Sequence, residues 1–409
     1  MENVRENRDR LLDREVTGRC GNCVWKIDSD MTLTISPVPG TDGIMRRVRY
    51  DDSSESGMWA WSPYRQWIRK VVIGEGVKAT SELRSVFENM QLCRLFDIGG
   101  LDTEDVENMT YMFSGCKNLT DLNGLENWNV KNVTSMDNMF LDCSSLGDIS
   151  ALRTWNTENL RKAGSMFEDC CALSDLSPLA GWNTSRIDSM RAMFRCTSVN
   201  DLSPLAEWDV RNVKYMSFMF DHCSSLTTLQ QIGRWEPENV TTMDEMFRGC
   251  ESLTDADAAR NWNVSRLEEC DCIFRGTKVK EHPFRYTVPM ACPRTGEFIA
   301  WKVCKRTERG YREKHVLVKL LVPEDAKRSS AFGKKCRCSK AKVLGFYEPD
   351  GREIRYALTA RSIYEGSFVY RKWATVSASD FDPDRFNECA SGIHFFYEME
   401  DAVDYCKRL

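Results

Sequence analysis

Cysteine and histidine are the residues of this sequence whose spacing is most typical of metal binding or catalysis. Cys20 and Cys23 form a CxxC pair, and Cys336 and Cys338 form a CxC pair. A structural zinc site takes four such ligands, but the two pairs lie in different predicted domains. No helix obviously begins at the first pair to lower a thiol pKa, which disfavours a redox role. We therefore predict packing or turn cysteines, with no metal and no cofactor.

A second candidate is the pair Cys389 and His394 in the phrase ECASGIHFF. A thiolate next to an imidazole is a common arrangement for nucleophilic catalysis, and Glu388 and Asp380 could orient the ring. However, His394 stands between two apolar residues of a predicted strand, which favours a structural histidine. We predict that the chain is not an enzyme and keep a Cys/His-dependent enzyme as an alternative.

Most of the other cysteines belong to a repeat that organises the chain. Phenylalanine recurs at intervals of 26 or 27 residues, at Phe87, Phe113, Phe140, Phe167, Phe194, Phe220, Phe247 and Phe274. Tryptophan keeps the same step, at Trp128, Trp155, Trp182, Trp208, Trp235 and Trp262. A fixed period in the twenties is typical of leucine-rich-repeat solenoids.

Each repeat has two apolar patterns. Steps of three, three, one and three predict one face of a short helix or helical turn, at Val133, Met136, Met139, Phe140 and Cys143. A step of three predicts a short strand with its return turn, at Leu146, Ile149, Leu152 and Trp155. Stacking the copies at a strand spacing of about 4.8 Å would align equivalent side chains in ladders.

The repeated cysteines are expected to form one of these ladders, at Cys116, Cys143, Cys170, Cys196, Cys223 and Cys250. A Cα separation of about 5 Å would permit disulfides. Free cysteine is nevertheless among the most buried residue types, so we predict buried thiols.

An acidic column precedes a leucine in most copies, at Asp121, Asp148, Asp175, Asp201 and Asp255, with Thr228 as the exception. We expect these side chains to accept a backbone amide or to end a turn. A stripe that binds a cation or a basic ligand is the alternative. A predicted exposed strand face would offer a binding surface at Thr120, Asp121, Asp148, Ser174, Asp175, Asn200, Asp201, Thr227, Thr228 and Asp255. A similar column is predicted to hold turn residues, at Asn132, Asn159, Asn212 and Asn239.

Composition restricts the class of protein. The hydrophobic fraction of 42%, the charged fraction of 29% and the net charge of -5 are ordinary for a globular protein. The first twenty residues lack the apolar run of a signal peptide, and no apolar stretch is long enough to span a bilayer. Since the chain is long and six of its 18 cysteines follow the repeat period, we expect a reducing compartment and a cytoplasmic location.

Two resemblances support this organisation. The phrases WNVKNVTSMDNMFLDCSSL and WNTSRIDSMRAMF resemble the BspA-like leucine-rich-repeat surface-protein family, and the match covers about residues 18–280. That resemblance implies a solenoid used for protein contacts, commonly in adhesion. The phrase VKLLVPEDAKRSSAFGKKCRCSKAKVL resembles a domain of unknown function in bacterial and phage proteins, often found after pentapeptide repeats. It covers about residues 285–409 and implies a reusable module without established catalytic residues.

The C-terminal region carries a basic segment. Residues 300–345 contain 14 Lys or Arg against 4 Asp or Glu. The segment could dock on an acidic surface. It could also contact phosphates through Lys327, Arg328, Lys334, Lys335, Arg337, Lys340 and Lys342. The second reading makes a phosphate- or nucleic-acid-binding adaptor an alternative function.

We therefore predict an α/β repeat solenoid of the leucine-rich type, with a β-rich cap before it and an α+β domain after it. The predicted divisions are a polar leader over residues 1–17, the cap over 18–82, the solenoid over 83–281 and the α+β domain over 285–409. The expected function is non-enzymatic recognition of another protein, because a rigid solenoid presents an extended surface between its core leucines.

Overall fold

A computed structural model describes residues 15–48, 58–285, 291–307, 313–330, 334–356, 359–364, 368–382 and 391–409. The chain divides into two compact units. The first comprises Met1–Arg266 with Phe274–Phe284, and the second comprises Leu267–Ile273 with Arg285–Leu409. Strands and turns make up most of the described residues, and helices are few.

The first unit begins with a five-stranded sheet. Its strands are β1 (Val16–Cys20), β2 (Cys23–Ile27), β3 (Thr32–Pro37), β4 (Lys70–Ile73) and β5 (Leu95–Asp97). The first three strands pair antiparallel, and β3, β4 and β5 pair parallel. In β2, alternate residues are buried at Cys23, Trp25 and Ile27, as the period of two in a half-buried strand requires.

The repeats stack through backbone hydrogen bonds between adjacent copies. Isolated parallel bridges join them in a series through Glu82, Asn108, Ser135, Lys162, Ser189, Tyr215 and Thr242. In the Met-Phe segment, the N–H of Phe113 donates to the carbonyl of Met139 at 2.8 Å, and the N–H of Phe140 donates to that of Met166 at 3.0 Å. Other amides of the same segment bond three residues back, as Cys143 does to Phe140. The segment is thus a stack of turns.

Of the predicted short helix or helical turn in each repeat, the helix is wrong for the described copies, which carry turns. Asn138 and Asp142 have φ angles of 58° and 59°. These left-handed conformations interrupt a right-handed helix. The apolar spacing correctly predicted which residues face inward. It does not distinguish a helix from successive turns, because turns with a three-residue step give the same spacing.

The predicted leucine-side strand is also wrong. This side forms 3₁₀ helices at Leu125–Asn127, Ser150–Thr154, Ser177–Leu179, Ser203–Leu205, Gln230–Ile232 and Asp257–Asn261. A step of three residues is the period of the 3₁₀ helix. Proline in the first turn of two of these helices suits a helical start, since its missing N–H has no partner there in any case.

Aromatic side chains fill the interior of the repeats. The eight repeated phenylalanines have neighbouring ring centroids 5.4–5.9 Å apart, and most neighbouring pairs are stacked nearly parallel. The repeated tryptophans donate their indole N–H to a carbonyl of the preceding copy, as Trp155 does to Leu125 at 2.9 Å. Both ladders that the sequence predicted are therefore present.

The cysteine ladder is present with one correction. Cys116, Cys143, Cys170, Cys223 and Cys250 are free and buried, and each thiol donates to a phenylalanine carbonyl of the preceding copy at 3.1–3.2 Å. Cys196 does not belong to this ladder. Thr197 takes that position, and its hydroxyl donates to Phe194 O at 2.8 Å. Cys196 lies one residue earlier and is half-buried.

Burial gives the ladder thiols a predictable reactivity. It raises the pKa of Cys116 and Cys143 well above that of a free thiol, and it raises the pKa of Cys223 to about 11. The reactive thiolate is therefore scarce at neutral pH. We expect iodoacetamide to modify the exposed Cys171 in the native protein and the ladder cysteines only in denaturant. Peptide mass spectrometry after timed labelling checks this, and fast native labelling of Cys143 would contradict it.

The second unit contains a nine-stranded sheet and a helix. The strands are β6 (Phe298–Thr307), β7 (Glu313–Val322), β8 (Arg328–Ser330), β9 (Lys335–Cys338), β10 (Lys340–Tyr347), β11 (Thr359–Ser362), β12 (Val369–Arg371), β13 (Thr375–Ser377) and β14 (Ile393–Phe396). Their order is β13-β10-β7-β6-β14-β9-β8, with β11 on β6 and β12 on β11. Helix α1 spans Met399–Arg408 and buries Ala402. Within the described ranges, no helix has the length and apolar character needed to cross a bilayer.

Candidate functional site

The acidic column of the repeats has the turn role that the sequence indicated. Asp148 Oδ1 accepts the backbone N–H of Ser150 at 2.8 Å. The equivalent bonds, each two residues along the chain, are made by Asp121, Asp175, Asp201 and Asp255, and Thr228 accepts through its hydroxyl. Except for Asp121, each acceptor satisfies the amide of the first residue of a 3₁₀ helix, where free N–H groups need partners.

This column gives a prediction about acid stability. The hydrogen bond from the backbone N–H of Ser150 holds the pKa of Asp148 below its usual value. A lowered folded-state pKa contributes stability above the unfolded-state pKa, and that stability is lost as pH falls through the folded-state value. Asp148→Asn should therefore lose less stability than the wild type between about pH 5 and pH 3. Urea unfolding at both pH values measures this, and identical losses in the two proteins would refute it.

The binding surface predicted on this side is accessible but lies on turns and 3₁₀ helices. Thr120, Ser174, Asn200 and Thr227 are exposed. Their role in binding stays a prediction. The asparagine column next to it is occupied by bonds between copies, since Asn132 donates to Glu104 O at 2.9 Å and Asn159 donates to Lys131 O at 2.8 Å.

The Met-Phe side of the repeats carries a surface that sequence reasoning missed. Tyr215 exposes 46% of its surface, at a bridge position that other copies fill with Glu82, Asn108, Ser135, Lys162, Ser189 or Thr242. Phe218 is half-buried at a left-handed position that is small or polar in six other copies and aromatic in one, where Arg84 covers the ring of Tyr111. The Arg191 guanidinium lies 4.9 Å from the Phe218 ring centroid. We call Arg191, Tyr215 and Phe218 the aromatic patch.

An ion-pair network lies in the same copies of the repeat. Asp221 is fully buried and accepts from Arg195 Nε at 2.9 Å and Arg248 Nε at 3.0 Å. Arg195 also contacts Glu168 at 2.6 Å, and His222 Nδ1 lies 2.8 Å from Asp221. The residue directly after the repeated phenylalanine thus alternates in charge over four successive copies, from Glu168 through Arg195 and Asp221 to Arg248.

Both features are visible in the sequence when equivalent positions of the repeats are compared. Tyr215 and Phe218 are large aromatic residues at positions that are mostly polar or small elsewhere in the array. Glu168, Arg195, Asp221 and Arg248 each follow a repeated phenylalanine. This signal lies in positions that vary between copies, whereas the repeat period marks the positions that stay the same.

The predicted phosphate contacts in the second unit are mostly engaged within the protein. Arg328 donates to the carbonyls of Pro293 and Pro323, among others, and the buried Arg337 donates to Ser391 O at 3.0 Å. Lys334 pairs with Asp401 at 2.6 Å.

The remaining members of this basic group differ in their surroundings. Lys340 pairs with Asp325, and Lys335 lies against tyrosine rings. Lys327 and Lys342 are exposed. The seven side chains therefore do not form one free basic surface, although their binding to phosphates stays an untested prediction.

The candidate catalytic pair of Cys389 and His394 stays a prediction. Cys389 lies outside the described residues, and His394 is half-buried on β14. Cys20, Cys23, Cys336 and Cys338 are all buried. Over the ranges that the structure describes, no cluster of three or more His, Cys, Asp or Glu side chains has an arrangement suited to a metal ion.

Comparison with known proteins gives a family match to the C-terminal residues. Residues 288–402 match a family of unknown function, DUF5758. A solved leucine-rich cell surface protein from Faecalibacterium prausnitzii A2-165 is 14% identical, with 66% of this chain and 96% of that chain covered. The TM-score of 0.20 is too low to establish a shared fold. No curated protein gives a significant match.

The repeats themselves match the family described as Mycoplasma protein of unknown function, DUF285. The two matching segments, residues 81–203 and 172–285, overlap. Together they span half of the 409-residue chain. On this match the chain belongs to the DUF285 family.

Proposed function

We propose that the repeats form a leucine-rich-type solenoid that recognises another protein through the aromatic patch. One observation supports this most directly. Tyr215, with 46% exposure, occupies a bridge position where the other copies carry polar residues, and it lies three residues before Phe218, whose ring Arg191 covers. Core packing does not call for such residues at an outer position.

The chemistry of the patch fits a protein partner. Tyrosine and arginine are enriched among the residues that carry most of the binding energy in protein interfaces. Aromatic and arginine side chains bury a large area on binding and lose little conformational freedom. The stacked backbone of Ser189, Tyr215 and Thr242 holds the patch on a rigid support, which lowers the entropic cost of association.

We also propose a class for this protein. A BspA-like surface protein, as the sequence resemblance implies, would use such an array for contact with other proteins. The cytoplasmic location stays a prediction from the sequence.

Two double variants separate the two candidate surfaces. Tyr215→Ser with Phe218→Asn introduces residues found at the same positions in other copies, whereas Thr120→Ala with Thr227→Ala changes the leucine side. We expect the first to reduce binding at least about 30-fold, in line with the loss of one strong interface anchor. The second should bind like the wild type.

The measurement is quantitative affinity capture from the native cell, followed by titration with the captured protein. Loss of binding in the leucine-side variant alone would move recognition to that surface and contradict the aromatic patch. Wild-type binding by both variants would contradict recognition by either surface. Circular dichroism shows beforehand whether each variant is folded.

A further inference from the structure

The second unit contains a cavity of about 650 Å³ at an opening in its sheet. On one edge of β6, Trp301 pairs with Phe396 of β14, and Cys304 and Lys305 pair with β11. Among the described strands, none pairs with Lys302 and Val303 on this edge. The cavity lies where β6 changes partner, and residues of β6, β9, β11, β12 and β14 line it.

A buried lysine is the main polar group of this cavity. Lys302 is 9% exposed, and its ammonium group lies 5.5 Å from the Tyr370 ring centroid. Among the described residues, it donates one hydrogen bond, to His394 O at 3.0 Å. An ammonium has three N–H donors, and burial without acceptors is unfavourable. Burial also lowers the pKa of Lys302, an effect that a bound anion would oppose.

A second lysine lies on the wall of the same cavity. Lys335 Nζ is 5.7 Å from the Tyr364 ring centroid and 5.5 Å from that of Tyr405. The two tyrosine hydroxyls are hydrogen-bonded to each other. In the described part of the chain, Lys335 has no carboxylate within ion-pair distance. The acidic residue on the wall is the exposed Asp380.

The rest of the wall provides an apolar surface and hydroxyl groups. Phe368, Phe395 and Phe396 contribute aromatic rings, and Ser362 and Ser377 contribute hydroxyls. A volume of 300–1,000 Å³ with mainly apolar walls and a few polar groups is typical of small-molecule sites. Two lysines against one exposed acid favour a negatively charged ligand.

We propose that this cavity binds a small organic anion. Its carboxylate or phosphate group would contact Lys302 and Lys335, and its aromatic or aliphatic body would lie against the phenylalanine rings. This inference is independent of recognition by the repeats, since it concerns residues of the other unit.

Isothermal titration of the full chain with four small aromatic probes tests the proposal. Benzoate and phenyl phosphate carry the two anionic groups, benzamide is neutral and benzylamine is cationic. We expect saturable binding of one or both anions, and their relative affinities identify the preferred head group. The neutral and cationic probes should bind at least about tenfold more weakly, because they cannot form two charge-assisted bonds to lysine.

Lys302→Met and Lys335→Met remove the positive charges and keep the length of the side chains. Each should weaken binding of the preferred anion at least about tenfold. Lys342→Met is the control, since Lys342 is exposed and does not line the cavity. If Lys302→Met fails to fold, Lys335→Met alone decides the result. Equal binding of benzoate and benzamide, no binding of either anion, or undiminished anion binding by a folded cavity variant would overturn the proposal.

Discussion

Replacing Phe167 by alanine should lower the free energy of unfolding of the repeat array by about 3–5 kcal/mol. Its ring is fully buried and stacks on Phe140 at 5.6 Å and on Phe194 at 5.9 Å. Removing the ring leaves a cavity next to Phe140 and Phe194. The cavity cannot collapse fully, because backbone hydrogen bonds hold the adjacent copies at a fixed spacing. In a stacked array each copy is stabilised by its neighbours, so the loss affects both sides of the gap.

Chemical denaturation of the full chain, followed by tryptophan fluorescence, measures this loss. Phe167→Leu is the matched variant that keeps most of the apolar volume, and it should cost less than half as much. Tyr215→Ser removes an exposed aromatic residue and should change stability by no more than about 0.5 kcal/mol. An unfolding midpoint for Phe167→Ala equal to that of the wild type would contradict the interior ladder.

The inward-facing residues of the repeats could be predicted because their burial leaves a strict period. Phe140, Trp155 and Cys143 each pack against their own equivalents, so the same residue type suits every copy. The local backbone could not be predicted in the same way. A three-residue step fits a 3₁₀ helix as well as a leucine-rich strand with its turn, and the left-handed backbone of Ser165 and Ala192 leaves no reliable mark in their residue types.

The functional surfaces were harder to predict because they depend on exceptions. Tyr215 stands out only against the polar residues at the same position of other copies, and Phe218 has one aromatic counterpart, Tyr111. The cavity in the second unit depends on contacts between residues far apart in the chain, since Phe396 of β14 lies between Trp301 of β6 and Lys335 of β9. Hydrophobic periodicity describes one strand at a time and cannot give that order.

Asp221 should be the most sensitive polar residue of the repeats. Its carboxylate is fully buried and is contacted by Arg195, Arg248 and His222. Removing one partner of a buried ion pair commonly costs 3–5 kcal/mol. Both guanidinium groups retain about a third of their exposure, which reduces the effect through solvent screening. We therefore expect Asp221→Asn to destabilise the array by about 2–4 kcal/mol, measured by denaturant unfolding at neutral pH.

A mutant cycle determines whether this loss comes from the ion pairs. Arg195→Met with Arg248→Met removes the two cationic partners, and the carboxylate of Asp221 then lacks compensation from arginine. Adding Asp221→Leu to this pair introduces the residue found at the same position in another copy, Leu141. A fully apolar replacement of a buried ionic cluster is often neutral or stabilising. The triple variant should therefore be more stable than the arginine double variant, and additive losses from all three changes would show that the residues do not act as one network.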